Sequence, residues 1–471
     1  MAADATHLSA ATTTLARFSV RAGDGMWRAI ERALDNGFGL VFVVADDGLL
    51  LGQASLADLR AALRVGRHLD EPRAGDFAKR WIDADDAVLA PVCDDHGRLI
   101  DVAVRSERAF TAVAEPDLTH REFRLLMDAF LSTWISSQGE LLRAFEARFA
   151  ARMGHSEGVA TSNGTVSLHL AMMALGIGPG DEVIVPDFTF AASANTVIHC
   201  GATPVLVDVD PETWCLSPET FEAAITSRTR AVMPVHVFGR VAPMREIAEI
   251  AKRRGVFVIE DCAEAHGAAY GGKPVGAWSD VASFSFFANK IITTGEGGMC
   301  VTSDPALAGR MRMLRDHGMA PQRRYWHEEA GFNYRMTNLQ AAIGLAQLER
   351  MNDFLANRAA LDSMYRASFQ DVPGVRFPAP MAAPAEPVVW FVCASVPADR
   401  RDALIAACKA DNIDLRPFFN SLSAMPAYRK WARPCPVSRA IAASGINFPT
   451  SHKIDQALIG RMAGIFRNVL S

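Results

Sequence analysis

Between residues 182 and 259, short apolar runs rich in β-branched residues alternate with helical stretches. Segments 182–185, 204–209, 231–237 and 256–259 read as strands, and segments such as 244–253 read as helices between them. Strands apolar on both faces need cover on both faces. The alternation therefore predicts a largely parallel sheet with helices packed on either side. In such sheets ligands bind outside the carboxyl ends of the strands, so polar residues that close these strands are the first candidates for chemistry.

The flanking regions follow a different grammar. Before residue 113, Met26, Ala29, Ile30, Ala33 and Leu34 recur at helical spacing. A short strand (40–44), the turn Asp46-Asp47-Gly48 and a second strand (49–51) follow. A helix over 55–63 opens on Ser55 as N-cap. A weaker echo occurs at 88–93, the turn Asp94-Asp95-His96-Gly97, and 99–104. After residue 352 the chain reads as a smaller α+β domain: a long helix, an extended segment (388–396), a helix (400–411) and Pro-rich connections. A chain of 471 residues has room for this organisation. The expected domains are 1–113, 118–351 and 352–471.

Composition removes several function classes. Lys plus Arg is 48 and Asp plus Glu is 53, a net charge of −5 without the basic surplus of a general nucleic-acid binder. The longest apolar stretches, such as 388–396, fall far short of the roughly 20 residues a spanning helix needs, so no membrane role is expected. The first residues lack a basic start followed by an apolar run, so no secretory signal is expected. The eight cysteines are scattered, with no CxxC and no zinc-like spacing. They read as reduced, mostly core thiols of a cytoplasmic protein, and no metal is expected.

Three pieces carry chemistry. Ser162-Asn163-Gly164-Thr165 precedes an amphipathic helix expected over 166–175, and a helix N-terminus offers free N–H groups to a phosphate. Asp261 ends the apolar strand Val-Phe-Val-Ile-Glu-Asp, and Glu264 follows three residues on. Lys290 closes the aromatic run Ser283-Phe-Ser-Phe-Phe-Ala-Asn-Lys290, company that lysine normally avoids. Each piece alone has an ordinary structural explanation: an N-cap, a helix-capping carboxylate, a snorkelling lysine. Together they supply what pyridoxal 5'-phosphate (PLP) needs. A cradle anchors the phosphate, a carboxylate holds the pyridine nitrogen protonated, and a desolvated amine forms a Schiff base.

The sequence resembles the DegT-type sugar-nucleotide aminotransferases over about residues 120–471. The resemblance rests on the motifs SNGTVSLHLA, GDEVIVPDFTF, PVHVFG, IEDCAEAHGA, SFSFFANKIITTGEGGM and GFNYRMTNLQAAIGLAQLER. It implies the α/β PLP-dependent transferase fold of type I, with a large domain and a small α+β C-terminal domain. It implies that Lys290 is the catalytic Schiff-base lysine and Asp261 the partner of the pyridine nitrogen. Gly164, Thr165 and Ser285 would bind the phosphate, Phe190 would stack on the ring, and Glu264 would lie near the ring hydroxyl. Asn333 would reach the phosphate of the neighbouring subunit, so a homodimer with shared sites is implied. The retained lysine implies transamination with glutamate as donor. The segments HGMAPQRRYWHEEAGFNYRMTN and RPFFNSLSAMPAYR resemble members that aminate C4 of GDP-4-keto-6-deoxymannose. In these segments Tyr325, Trp326, His327 and Arg335 are the candidate substrate contacts. A UDP- or dTDP-linked keto sugar, aminated at C4 or C3, is the alternative, and a non-catalytic nucleotide-responsive regulator a further one. The first region resembles a CBS-type module through LVFVVADDGLLLGQASLADLRAAL. There Ser55 and Asp58 match an adenosine-nucleotide signature, although both also suit a helix start.

Overall fold

The computed structural model describes residues 6–7, 12–58, 74, 89–104 and 110–471. The chain forms two compact units, one of residues 1–111 with 117–124, the other of 112–116 with 125–471.

The larger unit is built on a seven-stranded sheet. Its strands are β1 (Glu157–Thr161), β2 (Glu182–Pro186), β3 (Thr203–Val207), β4 (Thr229–Val232), β5 (Phe257–Asp261), β6 (Val281–Ser285) and β7 (Gly298–Thr302). They lie in the order β1-β7-β6-β5-β4-β2-β3. Every neighbouring pair is parallel except those of β7, which runs antiparallel to β6 and β1. Strands β2, β6 and β7 are buried along their whole length, as expected for a sheet covered on both faces. Asp261 lies opposite Ser283 in the β5–β6 register. Asp261 and Ser285 therefore emerge at the same, carboxyl, end of the sheet.

Two expected elements differ. The strand expected over 231–237 ends at Val232. Pro234 has no N–H to give a ladder, and a 3-10 turn follows at Val237–Gly239, with Phe238 at φ 53°. The helix expected to be amphipathic over 166–175 spans Gly164–Ala174 and is buried on nearly every side, through Ser167, Leu168, His169, Leu170, Ala171, Met172 and Ala174. It is wedged between strands β5–β7 and the helices Ala192–His199 and Pro305–Arg315, so no face is left for water.

The C-terminal segment gathers its own core within this unit. The helix Met351–Phe369 packs on a small antiparallel sheet of Val392–Ser395, Gly445–Phe448 and Arg416–Pro417, with the helices Arg401–Ala410 and Gln456–Leu470. Tyr365, Phe369, Phe448 and Phe466 interlock there, with ring centroids 4.9–6.2 Å apart. Only Val392–Ser395 of the expected extended segment 388–396 pairs as strand.

The smaller unit carries the helix Met26–Asp35 and two three-stranded sheets. The strand–turn–strand motif occurs twice, at Leu40–Val44 with Leu50–Ser55 and at Leu89–Cys93 with Leu99–Val104. The two turns are joined by Leu50 N–H to Gly97 O and Leu99 N–H to Gly48 O, both 3.0 Å. Residues 59–63 of the expected helix lie outside the described residues. At its start Ser55 Oγ accepts from Asp58 N–H (3.2 Å), and the Asp58 carboxylate accepts from Ser55 N–H (3.1 Å) and Oγ–H (2.6 Å). This is a reciprocal cap of the capping-box kind.

All eight cysteines are free, and seven are buried. Among the described residues no helix is long and apolar enough to cross a membrane.

Phe448→Ala removes a fully buried ring from the C-terminal core. The cost should be about 3–5 kcal/mol, read as a clear drop in the midpoint of thermal or denaturant unfolding.

Candidate active site

The carboxyl end of the sheet opens into a cavity of about 560 Å³. Helix Gly164–Ala174 presents its N-terminus to it. Asn163 caps this helix by accepting from Val166 N–H (3.0 Å), and the first N–H groups, of Gly164 and Thr165, stay outside the intrahelical ladder. A Cβ on Gly164 would sit 2.7 Å from Ser285 Cβ. Only glycine lets the helix start approach the β6 hydroxyl this closely. The result is a small cradle of backbone N–H groups and hydroxyls.

Asp261 ends β5 and is almost fully buried. One carboxylate oxygen accepts from Ser193 Oγ–H (2.8 Å), the other from Ala263 N–H (3.2 Å). Burial raises its pKa, and these two donors oppose the rise. Glu264, also buried, accepts from Phe238 N–H (2.8 Å) and lies 3.7 Å from Lys290 Nζ. Burial pushes its carboxyl up to about 7, and the lysine and that N–H pull the other way. Lys290 sits just past β6, with its amine 3.8 Å from the centroid of the Trp390 ring. Burial lowers its pKa and Glu264 opposes the drop. An amine with a depressed pKa beside a carboxyl with a raised one keeps a proton close to exchange between them.

Gly164, Thr165, Phe190, Asp261, Glu264, Ser285 and Lys290 all line this one cavity. Phe190 is half exposed at its mouth and packs on Phe419, with centroids 5.7 Å apart. The remaining candidates do not line it within the single chain. Asn333 is exposed, and its Oδ1 accepts from Arg335 Nε–H (3.0 Å). Its neighbours Phe332 and Tyr334 stack on each other, and Tyr334 Oη lies 3.2 Å from His169 Nδ1. Arg335 donates to Asp316 (2.6 Å). Tyr325 and Trp326 are exposed under the guanidinium groups of Arg324 and Arg323, and His327 donates to the carbonyl of His317 (2.8 Å).

Ser193 and Trp390 were not legible as site residues. Ser193 lies 68 residues from Asp261 in the chain, inside an unremarkable helix. In the sequence Trp390 is one indole within an apolar run. Its Nε1–H donates to the carbonyl of Asn289 (2.7 Å), the residue before Lys290, and its own carbonyl accepts from the buried Arg358.

The residues fit PLP. The cradle supplies phosphate donors, Asp261 a buried carboxylate for a ring nitrogen, and Lys290 a desolvated amine within the same cavity. The sheet order with a single antiparallel strand, joined to this set of groups, defines a PLP-dependent aminotransferase. The chain belongs to the DegT/DnrJ/EryC1/StrS aminotransferase family, whose pattern it matches over residues 116–467. It is 46% identical to the GDP-perosamine synthase of Caulobacter vibrioides over 76% of this chain and 98% of that protein. It is 42% identical to the GDP-perosamine synthase of Escherichia coli O157:H7 over 72% and 93%. Among solved structures it is similar to S. venezuelae DesV in complex with a ketimine intermediate, with a TM-score of 0.70, 36% identity, and 74% of this chain and 94% of that chain covered.

The raised carboxyl of Glu264 gives a stability signature. The folded chain holds this proton more tightly than the unfolded one, so protonation stabilises the fold. That contribution is complete below about 4.5, the ordinary value, and is lost as pH rises to about 7. In the cofactor-free protein, the Tm advantage of Glu264→Gln over wild type should grow across this window and level off above it. A difference independent of pH would show that the carboxyl is not shifted.

Proposed function

We propose that the protein transfers an amino group from glutamate to C4 of GDP-4-keto-6-deoxymannose, giving GDP-perosamine. The observation that carries this reading is the convergence of Lys290, Asp261, Glu264, Ser285 and a free helix N-terminus in one cavity. The family supplies the aminotransferase chemistry, and the relatives named GDP-perosamine synthase support the choice of sugar nucleotide.

Bound PLP supplies an aldehyde that captures the amine and a pyridine ring that accepts electrons. The protein's residues divide the remaining work. Gly164 and Thr165 N–H and the Ser285 hydroxyl hold the phosphate. Asp261, its negative charge stabilised by Ser193 Oγ–H and Ala263 N–H, would hold a proton on the ring nitrogen. Lys290 Nζ would carry the proton to and from the substrate carbon. Glu264, 3.7 Å away, takes up or returns the ammonium proton as the lysine changes role. Phe190 and Trp390 wall the site and limit water. The cation-and-aromatic run Arg323–His327 suits a diphosphate and a sugar or base.

We further read the assembly as a homodimer with shared sites. Asn333 is exposed on a segment anchored by Phe332 and Tyr334 against His169, and it does not line its own chain's cavity. Residues 118–351 and 352–471 would form the large and small domains. Residues 1–113 would form a CBS-like module. Ser55 and Asp58 satisfy each other, which favours a structural or assembly role for that module over nucleotide binding.

Product analysis with glutamate and a panel of nucleotide-linked keto sugars tests the substrate. GDP-4-keto-6-deoxymannose should be converted, and exclusive conversion of a UDP- or dTDP-linked sugar would overturn the assignment. Lys290→Ala should retain the fold and lose turnover by orders of magnitude.

Mixing two inactive variants, Lys290→Ala and Asn333→Trp, tests the shared site. Subunit exchange should regenerate part of the activity, because one site of each mixed dimer carries neither lesion. Demonstrated exchange without activity would mean that Asn333 serves its own subunit.

A further inference from the structure

Behind Asp261, on the face of β5 away from the cavity, lies a second group of fully buried polar residues. His236, Glu260 and Cys262 bring nitrogen, oxygen and sulfur atoms within 4.8 Å of one another, a set that resembles metal ligands. Their hydrogen bonds give a different account. Glu260 Oε2 accepts from Gly276 N–H (2.8 Å), and Oε1 accepts from Trp278 N–H (3.1 Å). His236 Nε2 lies 2.9 Å from Glu260 Oε2. His236 Nδ1 lies 3.2 Å from the backbone nitrogen of Ala242, which can only donate. Nδ1 is therefore the acceptor, and Nε2 carries the proton given to Glu260. Both ring nitrogens are used, and burial pushes the Cys262 thiol well up, away from the thiolate a metal would need.

The backbone around His236 leads from this buried pair to the cofactor-facing carboxylates. His236 N–H donates to the carbonyl of Asp261 (3.1 Å), and Asp261 N–H donates to the carbonyl of Pro234 (2.9 Å). Two residues on, Phe238 N–H donates to Glu264 (2.8 Å). That N–H reaches Glu264 because Phe238 adopts the left-handed region, at φ 53°, followed by Gly239 at φ 87°. A side chain on Gly239 would strike the carbonyl of Val388. A non-glycine residue in this region is strained and persists only where its surroundings over-determine it. The locked imidazole at 236 is one such constraint.

We infer that His236 is a positioning residue for the cofactor site. Pinned between Glu260 and Ala242, it fixes segment 235–238, whose backbone sets the end of β5 at Asp261 and holds the carboxyl of Glu264. It touches neither cofactor nor substrate and acts through these two carboxylates. The inference rests on the reading that Asp261 and Glu264 face PLP.

The test uses the PLP-loaded full-length enzyme and four variants: His236→Ala, His236→Gln, Glu260→Gln and, as reference, Asp261→Asn. Three quantities are measured: the pH titration of the cofactor's visible band, the rate of PLP loss on dilution, and kcat against KM. The titratable groups facing the cofactor are Asp261, Glu264 and Lys290, with His236, Glu260 and Cys262 behind them. The His236 and Glu260 variants should move the band's titration by about half a pH unit or more. They should release PLP about tenfold faster and lower kcat with little change in KM. A residue that only supports the core would lower Tm and leave the titration and PLP release of the folded protein unchanged. That result in any folded His236 or Glu260 variant overturns the inference. Should His236→Ala not fold, His236→Gln and Glu260→Gln carry the same test. Asp261→Asn separates the two levels. If it moves the titration and the others do not, the positioning role fails alone; if it does not, the reading of Asp261 fails with it.

Discussion

The site depends on the burial of an amine between two carboxyl groups. Lys290, Asp261 and Glu264 are all withdrawn from water at the carboxyl end of the sheet, and an uncompensated charge there would cost several kcal/mol. The compensation is local. Ser193 and Ala263 serve Asp261, Phe238 serves Glu264, and Glu264 with the Trp390 ring face serves Lys290. Removing any member leaves a buried charge or acceptor without its partner. For this reason elements far apart in the chain meet at one point, including the helix Ala192–His199, the turn at 237–239 and the segment around Trp390.

The same constraint explains the asymmetry of the two sides of β5. Adjacent residues of a strand face opposite ways, so Asp261 enters the cavity while Glu260 enters the packing behind it. Glu260 meets donors from Gly276, Trp278 and His236, whereas Asp261 meets Ser193 and Ala263 and also lines the cavity. One strand end thus holds a fully packed carboxylate and a cavity-lining one in succession. The helix N-terminus at the cavity is built on the same economy of space, since Gly164 allows it to touch Ser285.

The family match begins at residue 116, and the smaller unit lies largely before it. Its paired strand–turn–strand motifs were readable because Asp-Gly-type turns and β-branched runs are local signals. The meaning of Ser55 and Asp58 was not readable, because the same two residue types serve a nucleotide or a helix cap. In the fold the two residues hydrogen-bond each other in the pattern of a helix cap.

The sequence by itself determined the parallel α/β architecture, because strands apolar on both faces admit few other solutions. It also marked Gly164, Thr165, Asp261, Glu264 and Lys290 as candidates, because a helix start, a strand end and a lysine in aromatic company are local signals. The tertiary structure decided what those groups can do. Spacing along the chain cannot report that Ser193 reaches Asp261, that Trp390 faces the Lys290 amine, or that Phe238 turns left-handed to hold Glu264. It also cannot report that the helix after Asn163 is buried on nearly every side, since burial depends on which neighbours arrive on each side. Protonation states, set by burial and by partners drawn from across the chain, are properties of the folded molecule alone.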